Sequence, residues 1–122
     1  YDYLSTWTSI AQDTRDLVVE ELRGRSRDEV TRAVEQAAVV NSVNNLMGYR
    51  WIEERVKAGS LTLHAWWFNL TVGQLYAFDP ETLKFVAVVG VKLDAAITAR
   101  TPLSALKPEA FAAALAGKKP AF

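Results

Sequence analysis

The chain has 122 residues, half of them apolar, and its 14 basic and 14 acidic side chains give a formal net charge of zero. This length and apolar content predict one compact domain, and the balanced charge argues against a nucleic-acid-binding protein, which normally carries a basic excess on one face. The sequence contains no cysteine, which excludes disulfides, thiol nucleophiles and thiolate metal sites within this chain.

Three helices are predicted in the first half of the chain. Apolar side chains recur there at three- and four-residue steps, and Gly24 is typical of the residue that follows a helix end. Ser26 and Glu29 have the spacing of a capping box, which starts the second helix. Gly48 and Gly59 bound a shorter third helix. The predicted helices cover residues 4–23, 26–47 and 49–58.

The hydrophobic period changes to two after Gly59, and aromatic and aliphatic residues become frequent, as is typical of strands. Gly73 and Pro80 indicate the two turns between these strands. Beyond Gly90 the pattern weakens, until Pro108 suits the first turn of a short helix over residues 110–116. The predicted strands cover residues 61–70, 75–78 and 83–89.

These elements predict an α/β chain with two long helices and a short helix, then a β-hairpin or meander, and finally a tail helix. Residues 1–89 form the main segment, and residues 90–122 are a C-terminal extension that docks on the body, docks on a partner or stays loosely held. The start at Tyr1 rather than Met, leading directly into a predicted helix, is typical of a piece processed, cut or taken from a longer protein. No apolar stretch approaches the ~20 residues of a bilayer-spanning helix and no signal-peptide pattern is visible, so we predict a cytoplasmic protein.

Short motifs follow one another in a recognisable order between residues 39 and 89. Asn45-Leu46 ends the second helix, and Gly59 and Leu61 form a Gly-x-Leu motif before the first strand. A strand with the motif His-Ala-Trp and a Gly-containing hairpin follow. This order resembles the C-terminal half of β-class carbonic anhydrases, in which the strand motif is His-Gly-Trp and a Trp-led helix comes earlier. The resemblance implies the C-terminal portion of that fold, with structural or interface roles for Trp7, Asn45, Leu46, Gly59, Leu61, His64, Trp66 and Gly73.

Three departures from the family pattern affect what the resemblance implies. The usual Glu-Asn-Val on the second helix is Ala37-Ala38-Val39 here, and the central Gly of His-Gly-Trp is Ala65. Regulated members of the family use a Tyr two residues after the motif for bicarbonate, and that position is Phe68 in this chain. Because Phe68 has no hydroxyl group, we do not expect a regulatory anion site of that kind.

The resemblance implies a zinc enzyme as the complete protein. Members of the family hydrate carbon dioxide reversibly to bicarbonate on a zinc ion held by two Cys and one His, and the metal brings the pKa of its bound water towards ~7. The ligands and an Asp–Arg pair lie in Cys-x-Asp-x-Arg and His-x-x-Cys motifs, upstream of the matched segment. With no Cys and one His, this chain is expected to carry no catalytic or metal-binding residue and to be inactive alone. Zinc is expected only in the complete parent protein.

The remaining candidate residues are interpreted as structural. His64 takes the position of a non-ligand His in the family, and we expect it to be hydrogen-bonded near a subunit contact. Asp79 and Glu81 occupy a predicted turn. Trp66 and Trp67 face opposite sides of a strand, so one side is expected to be core and the other an interface.

Two functions follow from this interpretation. The chain is either the structural and oligomerisation half of a β-class carbonic anhydrase or a non-catalytic assembly or interaction module derived from that fold. A related zinc lyase or hydrolase, such as a carbonyl sulfide hydrolase, is a third interpretation. Without the upstream strands of the family, the helix faces that carry Val18, Val34 and Ala37 are expected to be exposed. We therefore expect a complementing N-terminal half or a second subunit, in a dimer-based homo-oligomer without nucleic acid or membrane.

Overall fold

The computed structural model describes residues 2–89 and 95–118, and of residues 2–8 and 10 the backbone alone. Its element order confirms the predicted α/β chain of helices, meander and tail helix. No helix in these described ranges is both long enough and apolar enough to cross a membrane. The elements are α1 (Asp2–Glu21), α2 (Arg27–Leu46), α3 (Arg50–Lys57), β1 (Trp66–Asn69), β2 (Gln74–Asp79), β3 (Lys84–Ala87), a 3₁₀ helix (Leu103–Leu106) and α4 (Pro108–Leu115).

Local capping bounds two of the helices. The Ser26 hydroxyl accepts a hydrogen bond from the backbone N–H of Glu29 at 3.2 Å and donates one to the Glu29 carboxylate at 3.2 Å. The Ser26 half of the predicted capping box is thus confirmed, and it satisfies an N–H group that has no partner inside the helix, whereas the Glu29 carboxylate bonds the Ser26 hydroxyl. Gly59 follows α3 with a φ of +79°, a left-handed conformation that costs glycine least.

The three strands form an antiparallel sheet in the order β1-β2-β3. Trp67 on β1 lies opposite Tyr76 on β2, which fixes the register of the hairpin. Gly73 closes the turn with a φ of +67°, and its N–H donates to the carbonyl of Asn69 at 2.8 Å. The hairpin therefore places successive side chains of β1 on opposite sides of the sheet.

Two strands are shorter than the sequence predicts. β1 covers 66–69 instead of 61–70, because the backbone of Leu63 exchanges hydrogen bonds of 3.1 and 2.8 Å with Ile97. β3 ends at Ala87 instead of residue 89, although the N–H of Val88 still donates to the carbonyl of Leu75 at 2.9 Å. Local periodicity does not reveal the pairing with Ile97, because the two segments are far apart in sequence.

The described part of the C-terminal extension packs into the core of the main segment. Ile97, Leu106 and Phe111 are fully buried. The ring of Phe111 lies 6.0 Å from that of Phe78 and 5.5 Å from that of Phe85, in edge-to-face contacts that aromatic pairs favour. Of the three outcomes left open for the extension, docking on the body is the one observed for residues 95–118.

The predicted exposure of the helix faces is wrong. Val18 and Ala37 are fully buried and Val34 is half-buried, because α4 packs against both α1 and α2. Arg25 strengthens this contact by donating to the carbonyl of Leu115 at 3.1 Å. The extension covers the surface that we expected a missing half to cover, so these faces give no reason to expect a partner.

Candidate functional site

The alternation of side chains gives the sheet two unlike sides. Trp67, Tyr76 and Phe85 lie on the inner side, where the Trp67 indole reaches α2 and Phe85 contacts α4. Trp66 and Phe68 lie on the outer side of β1. The prediction that neighbouring tryptophans face opposite sides is confirmed, and the outer one, Trp66, is half exposed.

Five large apolar side chains are exposed on the outer side and at the hairpin turn of the sheet. Trp66 is 49% exposed and Phe68 is 50% exposed, and a full aromatic side chain of this kind presents ~150–250 Å². A large apolar surface on a monomer often marks a contact with another molecule. We call this set the outer patch: Trp66, Phe68, Leu70, Val72 and Val86.

The strand beside the outer patch also lacks the usual protection of a sheet edge. Within the described residues β1 pairs with β2 alone, so its other edge is free. Natural edge strands normally carry charges, prolines or bulges that prevent pairing with other chains. Residues 61–78 contain no Lys, Arg, Asp, Glu or Pro. Within the described residues, the sheet therefore combines a free strand edge with exposed apolar side chains.

The eight positions that carry the resemblance do not form one site. Asn45 and Leu46 are both exposed at the end of α2, where the Asn45 carbonyl accepts a hydrogen bond from Gly48 N–H at 3.0 Å. Gly59 closes α3, and Leu61 packs half-buried against the core. These four residues lie in the segment that joins α2 to the sheet.

The other four positions lie on α1 and on the hairpin. His64 is exposed, its ring lies 5.7 Å from that of Trp66, and it has no hydrogen-bond partner among residues 2–89 and 95–118, contrary to our expectation. Gly73 forms the turn that ends beside the outer patch. Trp7 lies on α1, but its side chain is outside the described part of the chain.

The zinc chemistry of the resembling family does not fit the residues of this chain. His64 is the only histidine, and no thiol is present to join it. In the part of the chain that the structure describes, no three or more His, Cys, Asp or Glu side chains are grouped to hold a metal ion. A site of two thiolates and an imidazole would therefore have to take its ligands from elsewhere.

Sequence reasoning missed a cleft on the inner side of the sheet. Trp67 and Tyr76 line it from the strands, and Arg32 and Gln36 line it from α2. Period-two alternation was enough to place Trp67 and Tyr76 on one side of the hairpin. The two helix residues could not be assigned to the same place, because their meeting depends on how α2 packs over the sheet.

Comparison with known proteins decides the family. The carbonic anhydrase family model matches residues 1–75, which is more than half of the chain. The chain belongs to the β-carbonic anhydrase family. The matched stretch runs from α1 into the start of β2 and includes all eight positions named above.

Curated relatives of this β-carbonic anhydrase chain match it at low identity. Beta carbonic anhydrase 5, chloroplastic, of Arabidopsis thaliana is 27% identical over 90 residues, 74% of this chain and 29% of the relative. Carbonic anhydrase of Synechocystis sp. is 26% identical over 81 residues, 66% of this chain and 30% of the relative. Beta carbonic anhydrase 6, mitochondrial, of Arabidopsis thaliana is 41% identical over 46 residues, 38% of this chain and 16% of the relative.

No solved structure matches the chain significantly. The matched region spans less than a third of each of these relatives. The family is therefore established for this chain, whereas the activity of a whole enzyme is not.

Proposed function

We propose that this chain is the structural and assembly part of a β-class carbonic anhydrase whose zinc ligands lie outside residues 1–122. The proposal rests on the outer patch, a large apolar surface in a chain of this family that has no cysteine of its own. In the complete protein the activity would be the reversible hydration of carbon dioxide to bicarbonate. No residue of this chain is assigned a step in that reaction.

The outer patch is the proposed contact with the rest of the enzyme. Its exposed side chains carry no charge, and the free edge of β1 beside it offers backbone hydrogen bonds to an added strand. A complementing zinc-bearing half is the proposed occupant. Without that zinc-bearing half, a second copy of this chain would cover the outer patch, in a dimer-based assembly. The eight positions named above act in this proposal as structural and interface residues.

The second candidate is a non-catalytic assembly module. This candidate is supported by the hydrophobic core, which forms from residues of this chain alone because α4 packs against α1 and α2. In addition, no buried side-chain nitrogen or oxygen among the described residues lacks a hydrogen-bond partner. A chain with such a core can fold alone and then work only through its surface.

The cytoplasmic location stays a prediction. Two of the relatives are named as chloroplastic and mitochondrial proteins, so the compartment of this chain has to be measured, by fractionating cells and detecting the native protein with an antibody.

The direct test of the proposed function uses the purified 122-residue chain loaded with excess zinc and then desalted. We expect less than stoichiometric zinc by elemental analysis and no acceleration of carbon dioxide hydration above the buffer rate in a stopped-flow assay. Matched samples of a whole β-carbonic anhydrase give the positive control. Zinc-dependent hydration by the chain alone would overturn the proposal.

A further inference from the structure

The inner side of the sheet carries a second surface feature that the proposed function does not use. A cleft of about 320 Å³ lies between the strands, α2 and the end of α4. This volume falls in the range of small-molecule sites, which combine apolar walls with a few polar groups. Trp67, Tyr76 and Phe85 supply the aromatic wall, and Leu22 and Leu115 add aliphatic surface.

The aromatic wall is held in place before any ligand arrives. The indole N–H of Trp67 donates to a carboxylate oxygen of Glu35 at 3.1 Å. The Trp67 ring then lies 5.4 Å from the ring of Tyr76 and 6.5 Å from that of Phe85. The hydrogen bond to Glu35 and the packing against Tyr76 and Phe85 hold the Trp67 ring in one orientation. A flat ligand that packs against this ring would therefore lose little binding free energy to ordering the side chain.

Two charged groups at the rim are already engaged. Arg25 donates to the carbonyl of Leu115 at 3.1 Å and lies 3.5 Å from the carboxylate of Glu29. The Glu29 carboxylate also accepts a hydrogen bond from the Ser26 hydroxyl at 3.2 Å. The charges of Arg25 and Glu29 therefore offset each other, and we do not assign either side chain a direct contact with a ligand.

The groups that remain are mainly hydrogen-bond donors. Among the described residues, the guanidinium of Arg32 has no ion-pair or hydrogen-bond partner, and neither do the amide of Gln36 and the hydroxyl of Tyr76. The side-chain oxygen of Asn69 accepts from Thr71 N–H at 3.0 Å, which leaves its NH₂ group available. An excess of donors that includes one uncommitted cation favours a ligand with one negative charge.

We propose that this cleft binds a small monocarboxylate with a planar apolar body. The carboxylate of the ligand binds the Arg32 guanidinium, whose planar set of N–H groups can donate to both carboxylate oxygens. The flat apolar body of the ligand packs against Trp67 and Tyr76. A nucleotide or another polyphosphate does not fit, because the cleft offers one free cation and no glycine-rich loop. The proposal uses contacts within this chain alone, so it stands or falls independently of the proposed function.

The test is a titration of the isotope-labelled chain with sodium benzoate, followed through the indole N–H signals of its four tryptophans. Trp67→Phe assigns the reporting signal. We expect a saturable shift of the Trp67 signal with benzoate, and at least about tenfold weaker binding for neutral benzamide and for acetate, which lack the charge and the ring respectively.

Arg32→Gln should weaken benzoate binding at least about tenfold, since it removes the charge-assisted hydrogen bonds. Arg27→Gln is the matched control: it removes an exposed arginine of the same helix that does not line the cleft, and it should leave the affinity unchanged. The proposal is overturned if benzoate gives no saturable shift, if acetate binds as well as benzoate, or if Arg32→Gln and Arg27→Gln behave alike.

Discussion

The inner and outer sides of the sheet come from the same strands, yet they differ in what covers them. Trp67 points inward and is fixed by a hydrogen bond to Glu35, whereas its neighbour Trp66 points outward and is half exposed. The described part of the C-terminal extension covers the inner side with Phe111, whereas on the outer side its residues 95–102 lie beside Ala77 and Val86 and Trp66 stays half exposed. The difference shows that the described residues close their own core on the inner side and leave large apolar side chains exposed on the outer side.

The largest effect is expected on the inner side. Phe111→Ala removes a fully buried ring that contacts Phe78 and Phe85, and it should lower the free energy of unfolding by about 3–5 kcal/mol. Urea unfolding followed by tryptophan fluorescence measures it. The control is Phe68→Ala on the outer side, which should cost much less because Phe68 is half exposed. Equal losses for the two variants would remove the distinction between the two sides.

The next prediction concerns the 3₁₀ helix of the extension, in which two leucines differ in burial. Leu106 is fully buried and Leu103 is 42% exposed. Leu106→Ala should cost about 2–5 kcal/mol, and Leu103→Ala should cost clearly less, in the same urea experiment. If both variants were as stable as the wild-type chain, the extension would not belong to the core in solution.

A smaller effect is expected at the start of α2. Ser26→Ala removes the hydroxyl that caps Glu29 N–H, and should cost about 1 kcal/mol of stability. Ser42→Ala is the control, since the Ser42 hydroxyl only bonds the Ala38 carbonyl one turn back and adds little to helix stability. Thermal unfolding by circular dichroism compares the two variants. A cost at Ser42 that matched the cost at Ser26 would argue against capping as the cause.

The last prediction concerns assembly through the outer side. Because Trp66 and Phe68 are each about half buried, the double variant Trp66→Ser, Phe68→Ser should lower the free energy of unfolding of the monomer by about 1–1.5 kcal/mol per side chain and should still fold. We expect the wild-type chain to self-associate with rising concentration in sedimentation velocity experiments, and the double variant to stay monomeric.

Trp51→Ser is the matched control for this experiment, because Trp51 is 60% exposed on α3, outside the outer patch. It should associate like the wild-type chain. A wild-type chain that is monomeric at every concentration, or a double variant that still associates, would contradict the assignment of the outer patch to assembly.

Features that depend on neighbouring residues were predictable from the sequence. The start of α2 lies within one residue of its predicted position, because Ser26 and Glu29 form the cap between themselves. The opposite orientations of Trp66 and Trp67 followed from the geometry of a strand alone. The family was also predictable, because its motifs are short and occur in a fixed order along the chain.

Features that depend on distant contacts were not predictable. Leu63 pairs with Ile97 instead of extending β1, and neither residue signals this partner locally. The extension was left without an assigned place because its alanine-rich helix has little amphipathic pattern, although Phe111 proved to be central to the core. The cleft beside Arg32 was missed for the same reason, since its walls come from five separate elements, α2, the three strands and α4.

The central claim is that this chain is the structural part of a β-carbonic anhydrase whose zinc ligands lie elsewhere. The most direct measurement is the intact mass of the native protein, with its zinc content determined on the same sample. The account predicts a polypeptide longer than the 13.5 kDa of this chain, or a co-purifying second fragment, with about one zinc per complete protomer. A native 13.5 kDa species without zinc would contradict it and establish the non-catalytic module instead.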